Sequence, residues 1–250
     1  MRRCSLSFLL VTAAISIAAS GCMEAPGKPK ANTEPSRPDR ILDAKTLYKQ
    51  NCAACHGDQG HNGVAISLAN PVYVATAGVD NIRKVIAKGV PGTMMPAFSK
   101  GGGGLLTDEQ IDALANGIVD AWSGPAALAG QTPLAYASAS TGDVGRGEQA
   151  FAVYCARCHG ADGSGNRASP SQSNPAQSLG SIVDPAYLAL VSVQGLRSIV
   201  IAGRPDLGMP DWRSYLEGMR ARAMSDQEVT DVVAWVASHR TMTPGQPYPK

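Results

Sequence analysis

The sequence predicts an all-α protein that contains two copies of one small helical domain. A five-residue motif, Cys-x-x-Cys-His, occurs at residues 52–56 and again at residues 155–159, with an offset of 103. Other landmarks recur after each motif, which is the pattern of an internal repeat. Each copy ends in the i, i+3, i+4, i+7 apolar spacing of an amphipathic helix, whereas strand-like alternation is sparse. We therefore expect helices to form both cores.

The repeats and the composition between them divide the chain into six segments. Residues 1–21 are predicted to be an export signal and residues 22–41 a flexible Pro-rich tether. The first domain (residues 42–123) and the second domain (residues 143–240) are joined by a linker without charged residues (124–142). Residues 241–250 form a C-terminal tail. Landmarks beyond the motif share an offset of 114, so the second domain carries 11 additional residues before Pro185. They fall in the Ser-, Asn- and Pro-rich stretch 163–178, which is predicted to be a surface loop.

Each domain is predicted to contain a helix that leads into the motif and a middle helix. The first helix begins at about Asp43 in one copy and at about Gly147 in the other. The middle helix ends at Gly89 and Gly203, because glycine tolerates the left-handed backbone conformation that follows many helices. Domains of this size build only a small core from side chains alone.

A final helix closes each domain. It begins at a capping box, in which Thr107 and Gln110, or Ser225 and Glu228, satisfy free backbone N–H groups. The apolar stripes of the two helices correspond at an offset of 118, with Ile111, Leu114, Ala115 and Ile118 in the first copy and Val229, Val232, Val233 and Val236 in the second. These residues are predicted to face the core.

The motif indicates covalent attachment of haem c. Two thiols three positions apart each add to one vinyl group of the porphyrin, and the adjacent His becomes an axial ligand of the iron. The attachment residues are Cys52, Cys55, Cys155 and Cys158, and the iron ligands are His56 and His159. The sequence therefore predicts two haem c groups.

Two other interpretations of a bare C-x-x-C are a zinc ribbon and a thioredoxin-like redox pair. The sequence contains no further Cys pair or paired His that would complete a tetrahedral zinc site. No strand-helix-strand pattern surrounds either motif. Haem attachment is favoured because the whole five-residue signature occurs twice.

Met95 and Met209 are the predicted sixth ligands of the two irons. A lone loop methionine is usually an apolar filler, but these two share the offset of 114 and each directly precedes a proline. Met94 has no methionine counterpart and is expected to serve packing. His61 and His239, the remaining histidines, are expected to face solvent rather than to bind iron. No residue is assigned a catalytic role.

The two copies resemble the class I cytochrome c domain over several short stretches. These are residues 48–57, 92–98 and 106–111 in the first copy, and Phe151, 155–160 and 203–212 in the second. The resemblance implies the cytochrome c fold, low-spin haem with His and Met ligands, and an exposed haem edge for electron transfer.

The tandem arrangement resembles dihaem cytochromes that pass single electrons from quinol-oxidising complexes to terminal oxidases or small cytochromes. Such redox proteins are the expected partners, and no substrate chemistry is expected of the chain itself. The alternatives are the cytochrome subunit of a periplasmic dehydrogenase and a dihaem peroxidase. A peroxidase requires an iron with an open or displaceable ligand, whereas both copies offer a methionine.

Cys22 is the predicted site of a lipid anchor. The haem motifs use four of the six cysteines, and Cys4 lies in the predicted signal, which has two arginines followed by a short apolar run. Residues 19–22, Ala-Ser-Gly-Cys, resemble the bacterial lipoprotein signal, although Ala19 stands where that pattern prefers Leu. Ordinary secretory cleavage is the alternative. In either case we expect export, and with lipidation a position on the periplasmic side of a bacterial membrane.

The charge balance argues against a nucleic-acid partner. Loss of residues 1–21 removes Arg2 and Arg3 from the 22 basic residues and none of the 20 acidic ones, so the processed chain is formally neutral. Nucleic-acid-binding domains carry a basic surface instead.

Overall fold

The computed structural model describes residues 37–124, 126–165, 180–213 and 222–241. Within these ranges the secondary structure consists of nine α-helices and three short 3-10 turns, without a β-strand. The all-α prediction is confirmed. The chain from Ile41 onward forms one compact unit.

Four of the helices lie in the first repeat and five in the second. The first repeat contains α1 (Ala44–Asn51), α2 (Ala53–His56), α3 (Pro71–Lys88) and α4 (Asp108–Trp122). The second contains α5 (Val144–Tyr154), α6 (Ala156–His159), α7 (Pro185–Leu190), α8 (Val193–Ala202) and α9 (Asp226–Ser238). The helix before each motif packs against the final helix of its own repeat, and α3 also packs against α8 across the two repeats.

The helix before the second motif begins earlier than the sequence predicts. The Asp143 side chain accepts a hydrogen bond of 2.8 Å from the backbone N–H of Arg146, which caps α5 ahead of Val144. Asp43 caps α1 in the same way, as predicted. The predicted start at Gly147 is therefore wrong by about one helical turn.

Gly147 instead lies where α5 crosses α9. A Cβ atom on Gly147 would overlap the carbonyl oxygen of Asp231 and lie 2.8 Å from the Cβ of Trp235. In the first repeat the glycine is on the other helix, since a Cβ atom on Gly117 of α4 would overlap the Cβ of Ala44 on α1. Each crossing therefore has a glycine on one helix and a tightly fitted neighbour on the other.

The middle helix is interrupted at the same point in both repeats. Gly78 has a φ of 66° and a ψ of 163°, which breaks the helical geometry inside α3. In the second repeat the chain forms the separate helices α7 and α8, and Ser192, 114 residues after Gly78, caps the second of them. Neither repeat therefore contains an uninterrupted middle helix, although the sequence predicts one middle helix in each.

Both final helices match their predictions. Thr107 and Ser225 form capping boxes with Gln110 and Glu228. The predicted apolar stripes are buried, namely Ile111, Leu114, Ala115 and Ile118 on α4 and Val229, Val232, Val233 and Val236 on α9. A tryptophan of each helix also packs on the helix before the motif, with Trp122 edge-on to Tyr48 at 5.1 Å and Trp235 against Phe151 at 4.2 Å.

The linker is fastened to the second repeat. The Arg197 side chain is 3% exposed, donates hydrogen bonds of 2.8 and 3.2 Å to the carbonyl oxygens of Ala135 and Tyr136, and pairs with Asp226. Gln194 donates a further bond of 2.7 Å to the Tyr136 carbonyl. Residues that look like a passive connection by composition are therefore part of the packed structure.

Several predicted features lie outside the described residues. They include the export signal, Cys22, and most of the tether, of the 163–178 loop and of the C-terminal tail. In the part of the chain that is described, no helix combines the length and apolarity needed to cross a bilayer.

Candidate haem sites

Each motif begins at the residue that follows one helix and continues as a four-residue helix, α2 or α6. Cys52 ends α1 and Cys155 ends α5, and each accepts a hydrogen bond of 3.0 Å from the backbone N–H of the histidine four positions later, His56 and His159. One helical turn places residues three and four positions apart on the same side of the chain. The two thiols and the imidazole of each motif are therefore on one face.

The two thiols of the first motif differ in burial. Cys52 is buried, and this burial raises the pKa of its thiol to about 11, with a smaller contribution from the neighbouring Cys55. The described residues contain no group of three His, Cys, Asp or Glu side chains that could hold a metal ion. Cys55 and Cys158 are exposed and Cys155 is half-buried.

The ring of His56 is held with one nitrogen free. Its Nδ1 lies 2.8 Å from the carbonyl oxygen of Ile66. A carbonyl only accepts hydrogen bonds, so Nδ1 carries the hydrogen and Nε2 keeps its lone pair. Burial lowers the pKa of this imidazole, and the bond to Ile66 only partly opposes the effect. The result is a neutral histidine whose Nε2 is available to iron, the usual arrangement of a ligating His.

His159 is also neutral, but its Nδ1 is differently placed. Burial lowers the pKa of this imidazole as well. Its Nδ1 is buried and has no hydrogen-bond partner among the described residues. The constant offset of 114 places the counterpart of Ile66 at Gly180, beside residues 166–179, which the structure does not describe. The carbonyl that orients a haem histidine was not found by sequence reasoning, because backbone groups leave no mark in a motif.

Both predicted methionine loops rest on a glycine. Gly89 and Gly203 have φ values of 65° and 67°, and their ψ values near 180° place them in a region almost restricted to glycine. A Cβ atom on Gly89 would lie 2.7 Å from the carbonyl oxygen of Met95, and one on Gly203 would lie 2.6 Å from that of Met209. These glycines therefore do more than end the middle helices, which was their predicted role.

Each loop is closed by a backbone hydrogen bond to its methionine. The N–H of Val90 donates to the Met95 carbonyl at 3.0 Å, and the N–H of Arg204 donates to the Met209 carbonyl at 2.9 Å. Met94 is 79% exposed, so the packing role expected for it is not found.

The other two histidines differ from each other. His61 is exposed, as predicted, and adds to the effect of Arg204 in holding the pKa of Asp206 below its usual range. His239 is half-buried: its Nδ1 lies 2.9 Å from the carbonyl oxygen of Trp235, and its ring packs edge-on against that indole. The expectation that His239 faces solvent is therefore wrong.

The residues present fit haem c. Each repeat provides a neutral histidine, two cysteines on the same face and a methionine loop seated on a glycine. This donor set suits an iron porphyrin.

Comparison with known families agrees with this chemistry. Residues 39–116 match the family model of cytochrome c oxidase, cbb3-type, subunit III. Residues 144–240 match the family model of cytochrome c.

Individual relatives are subunits of oxidases. The chain is 31% identical over 131 residues to the cbb3-type cytochrome c oxidase subunit CcoP of Azospirillum sp. (strain B510), covering 48% of this chain and 39% of that one. It is 28% identical over 192 residues to the subunit FixP of Bradyrhizobium diazoefficiens, covering 72% and 57%. A solved structure from the Kuenenia stuttgartiensis reducing HAO-like protein complex is 19% identical, with a TM-score of 0.45, and covers 80% of this chain and 97% of that chain. The chain spans 39% of the length of the Azospirillum subunit.

Two cytochrome c domains in tandem, each with a complete attachment motif, define the class of protein. With these two domains, the chain is a tandem dihaem c-type cytochrome. It carries two covalently bound haem c groups, one for each domain.

Proposed function

We propose that this protein transfers single electrons in a respiratory chain and performs no substrate chemistry of its own. The observation that carries the proposal is the shared arrangement of both repeats, in which a neutral histidine and a glycine-seated methionine are both available. Haem c, when bound, supplies the one-electron chemistry. A neutral methionine thioether as axial ligand favours a high reduction potential, which suits the oxidising end of such a chain.

The assignment of ligands follows from the same residues. Cys52 and Cys55 attach one haem and Cys155 and Cys158 the other. His56 and Met95 would bind one iron, and His159 and Met209 the other. With both ligand pairs supplied by the protein, the haems would exchange electrons without binding a substrate.

The proposed partners are a quinol-oxidising complex as donor and a terminal oxidase or small cytochrome as acceptor. The similarity of both repeats to proteins named as subunits of cbb3-type cytochrome c oxidases supports an oxidase as acceptor. The chain represents less than two thirds of those relatives, so the pairing is part of the proposal.

We further propose that the two domains occupy residues 42–123 and 143–240 and are exported to the periplasmic side of a bacterial membrane. Lipidation of Cys22 would tether them there through the Pro-rich segment. The support is the pattern of residues 1–22 and the polar, proline-rich composition of residues 23–40.

A redox titration of the purified protein, with absorbance read at each potential, tests the proposed function. We expect two one-electron transitions, both above the potentials of quinols, and low-spin spectra in both oxidation states. Potentials well below those of quinols would refute the respiratory role. Peroxide turnover, or a high-spin iron in either domain, would favour the dihaem peroxidase instead.

A further inference from the structure

Asn70 caps α3 and has hydrogen-bonding capacity left over. Its Oδ1 accepts hydrogen bonds from the backbone N–H groups of Val72 at 3.0 Å and Tyr73 at 3.3 Å. The side chain is 5% exposed, so the hydrogens on its Nδ2 also require partners inside the protein.

Those partners belong to the other repeat. Asn70 Nδ2 donates to the carbonyl oxygens of Ala202 at 3.0 Å and Gly203 at 3.3 Å. Both carbonyls lie at the C-terminal end of α8, where the last carbonyl groups of a helix lack an intrahelical partner. The first repeat therefore supplies donors that the end of α8 requires.

The backbone held in this way carries the second methionine loop. Gly203 lies against the carbonyl of Met209, with no room for a side chain between them. The next residue, Arg204, exchanges two backbone hydrogen bonds of 2.9 Å with Met209. A contact from Asn70 thus reaches the Met209 loop through one peptide unit and one pair of hydrogen bonds.

The equivalent position in the second repeat shows what the cap alone requires. Asp184, 114 residues after Asn70, accepts hydrogen bonds from the N–H groups of Ala186 at 2.9 Å and Tyr187 at 3.0 Å. It is exposed, and a carboxylate has no hydrogen to donate. Aspartate therefore satisfies the cap, and only the contact with α8 requires the amide of Asn70.

A second contact joins the same surfaces one turn further along. The side chain of Tyr136, in the linker, lies close enough to Tyr73 of α3 and Ser198 of α8 for both to influence the pKa of its hydroxyl group. The start of α3 and the end of α8 are thus connected both directly and through the linker.

We propose that Asn70 is a positioning residue through which the first domain holds the Met209 loop closed on the second haem iron. The proposal rests on the proposed assignment of Met209 as a ligand. Without the Nδ2 donors, the buried carbonyls of Ala202 and Gly203 lose their hydrogen-bond partner, so the Met209 loop opens more often. The loss of a buried hydrogen bond shifts such an equilibrium by about 5- to 30-fold.

Asn70→Asp and Asn70→Ser test this in the full-length protein with both haems bound. Both replacements retain an oxygen that caps α3, but neither carries the amide donors. Only Asn70→Asp adds a charge, so an effect that both variants show cannot be caused by that charge. Asp184→Ser is the matched control at the equivalent cap.

The readout is the rate at which imidazole displaces the methionine from ferric iron, followed by loss of the sulfur-to-iron charge-transfer band. In a Met95→Ala background this band reports the second haem, and in a Met209→Ala background it reports the first. We expect both Asn70 variants to accelerate displacement at the second haem by about 5- to 30-fold and to leave the first unchanged. Asp184→Ser should change neither rate.

Equal rates in the Asn70 variants and the parent, or equal acceleration at both haems, would overturn the proposal. An effect in the aspartate variant alone would also overturn it, since charge would then be the cause. If instead Met209→Ala leaves the sulfur band intact, the ligand assignment itself fails. Failure of the proposed function and failure of the Asn70 proposal are therefore distinguishable.

Discussion

Gly203 lies so close to Met209 that the space between them admits a hydrogen atom but not a methyl group. A Cβ atom on Gly203 would lie 2.6 Å from the Met209 carbonyl oxygen. Because protein interiors are closely packed, a side chain there must displace the loop. A residue at the end of a helix therefore determines where a proposed iron ligand is held.

Gly203→Ala should consequently weaken ligation at the second haem. We expect loss of about half of the sulfur-to-iron absorbance and destabilisation by about 1–3 kcal/mol, from the clash and from the strained φ. Gly208→Ala is the control, because Gly208 also has a positive φ, of 78°, but nothing within 4 Å of its missing Cβ. An equal spectral change in both variants would show that backbone strain alone is responsible.

Replacement of the methionines tests the ligand assignment directly. Met95→Ala and Met209→Ala should each leave haem covalently attached and remove about half of the sulfur-to-iron absorbance, since each iron contributes one such bond. Met94→Ala should leave the absorbance nearly intact, because its side chain is 79% exposed. If Met94→Ala abolishes the band of the first haem, the repeats have been aligned one residue out of register.

Arg197→Ala should loosen the linker. The replacement leaves the carbonyls of Ala135 and Tyr136 without their donor and removes the ion pair with Asp226, so we expect a loss of about 2–4 kcal/mol in urea unfolding. Proteolysis within residues 124–142 should also become faster.

The first repeat provides the matched control for this variant. Arg83, 114 residues before Arg197, has a side chain that is 36% exposed and pairs with Asp80 and Asp112 at the surface. Arg83→Ala should destabilise the protein far less than Arg197→Ala, because ion pairs at the surface contribute little to stability. A comparable cost for both variants would mean that burial under the linker adds nothing to the role of Arg197.

Ionisation of Glu228 makes the stability of the second domain depend on pH in the acid range. Its hydrogen bonds with Arg222 lower the pKa of this carboxyl to about 2, with smaller contributions from Ser225. The pKa is depressed in the folded state, so the stabilisation is present above the unfolded pKa of about 4.3 and is lost as the pH falls toward 2. Since Arg222 is exposed, we expect a contribution of only about 1 kcal/mol.

Glu228→Gln isolates this effect. Glutamine occupies the same position of the capping box in the first domain, as Gln110, so the variant keeps the cap and loses the charge. In urea unfolding, the stability difference between parent and variant should be about 1 kcal/mol at about pH 6 and should vanish near pH 2. A difference that does not change with pH would contradict the assignment to the ionised carboxyl.

Cys22→Ser should release the protein from membranes or block its processing without changing the haem spectrum. A bacterial lipoprotein terminus carries several acyl chains, and a single chain binds a bilayer only weakly. Membrane fractionation of cells that express the variant checks this. A Ser variant that stays bound after a high-salt wash would show that the signal segment or a partner complex holds the protein.

The features that could be predicted are those encoded over a few neighbouring residues. The capping boxes at Thr107 and Ser225, and the apolar stripes of α4 and α9, follow from local hydrogen bonding and helical periodicity. The Cys-x-x-Cys-His motifs could be found for the same reason. Their chemistry requires the residues to be adjacent in the chain.

The features that could not be predicted join segments that are far apart. Nothing around Asn70 indicates that its amide reaches Ala202, and the composition of the linker does not reveal that its carbonyls satisfy Arg197. The start of α5 was misplaced because Gly147 resembles a helix boundary in sequence, whereas its role is steric. Such roles become visible only when both partners have coordinates.

The two helix crossings constrain how the duplicated halves can have diverged. The repeat offsets place Ala44 opposite Gly117 in one half and Gly147 opposite Trp235 in the other, so a bulky residue on the final helix coincides with a missing side chain on the first. Substitutions on one side of a crossing are tolerated only with compensation on the other. A chimera with α9 in place of α4 would bring the indole of Trp235 against Ala44. It should fold only when it also carries Ala44→Gly.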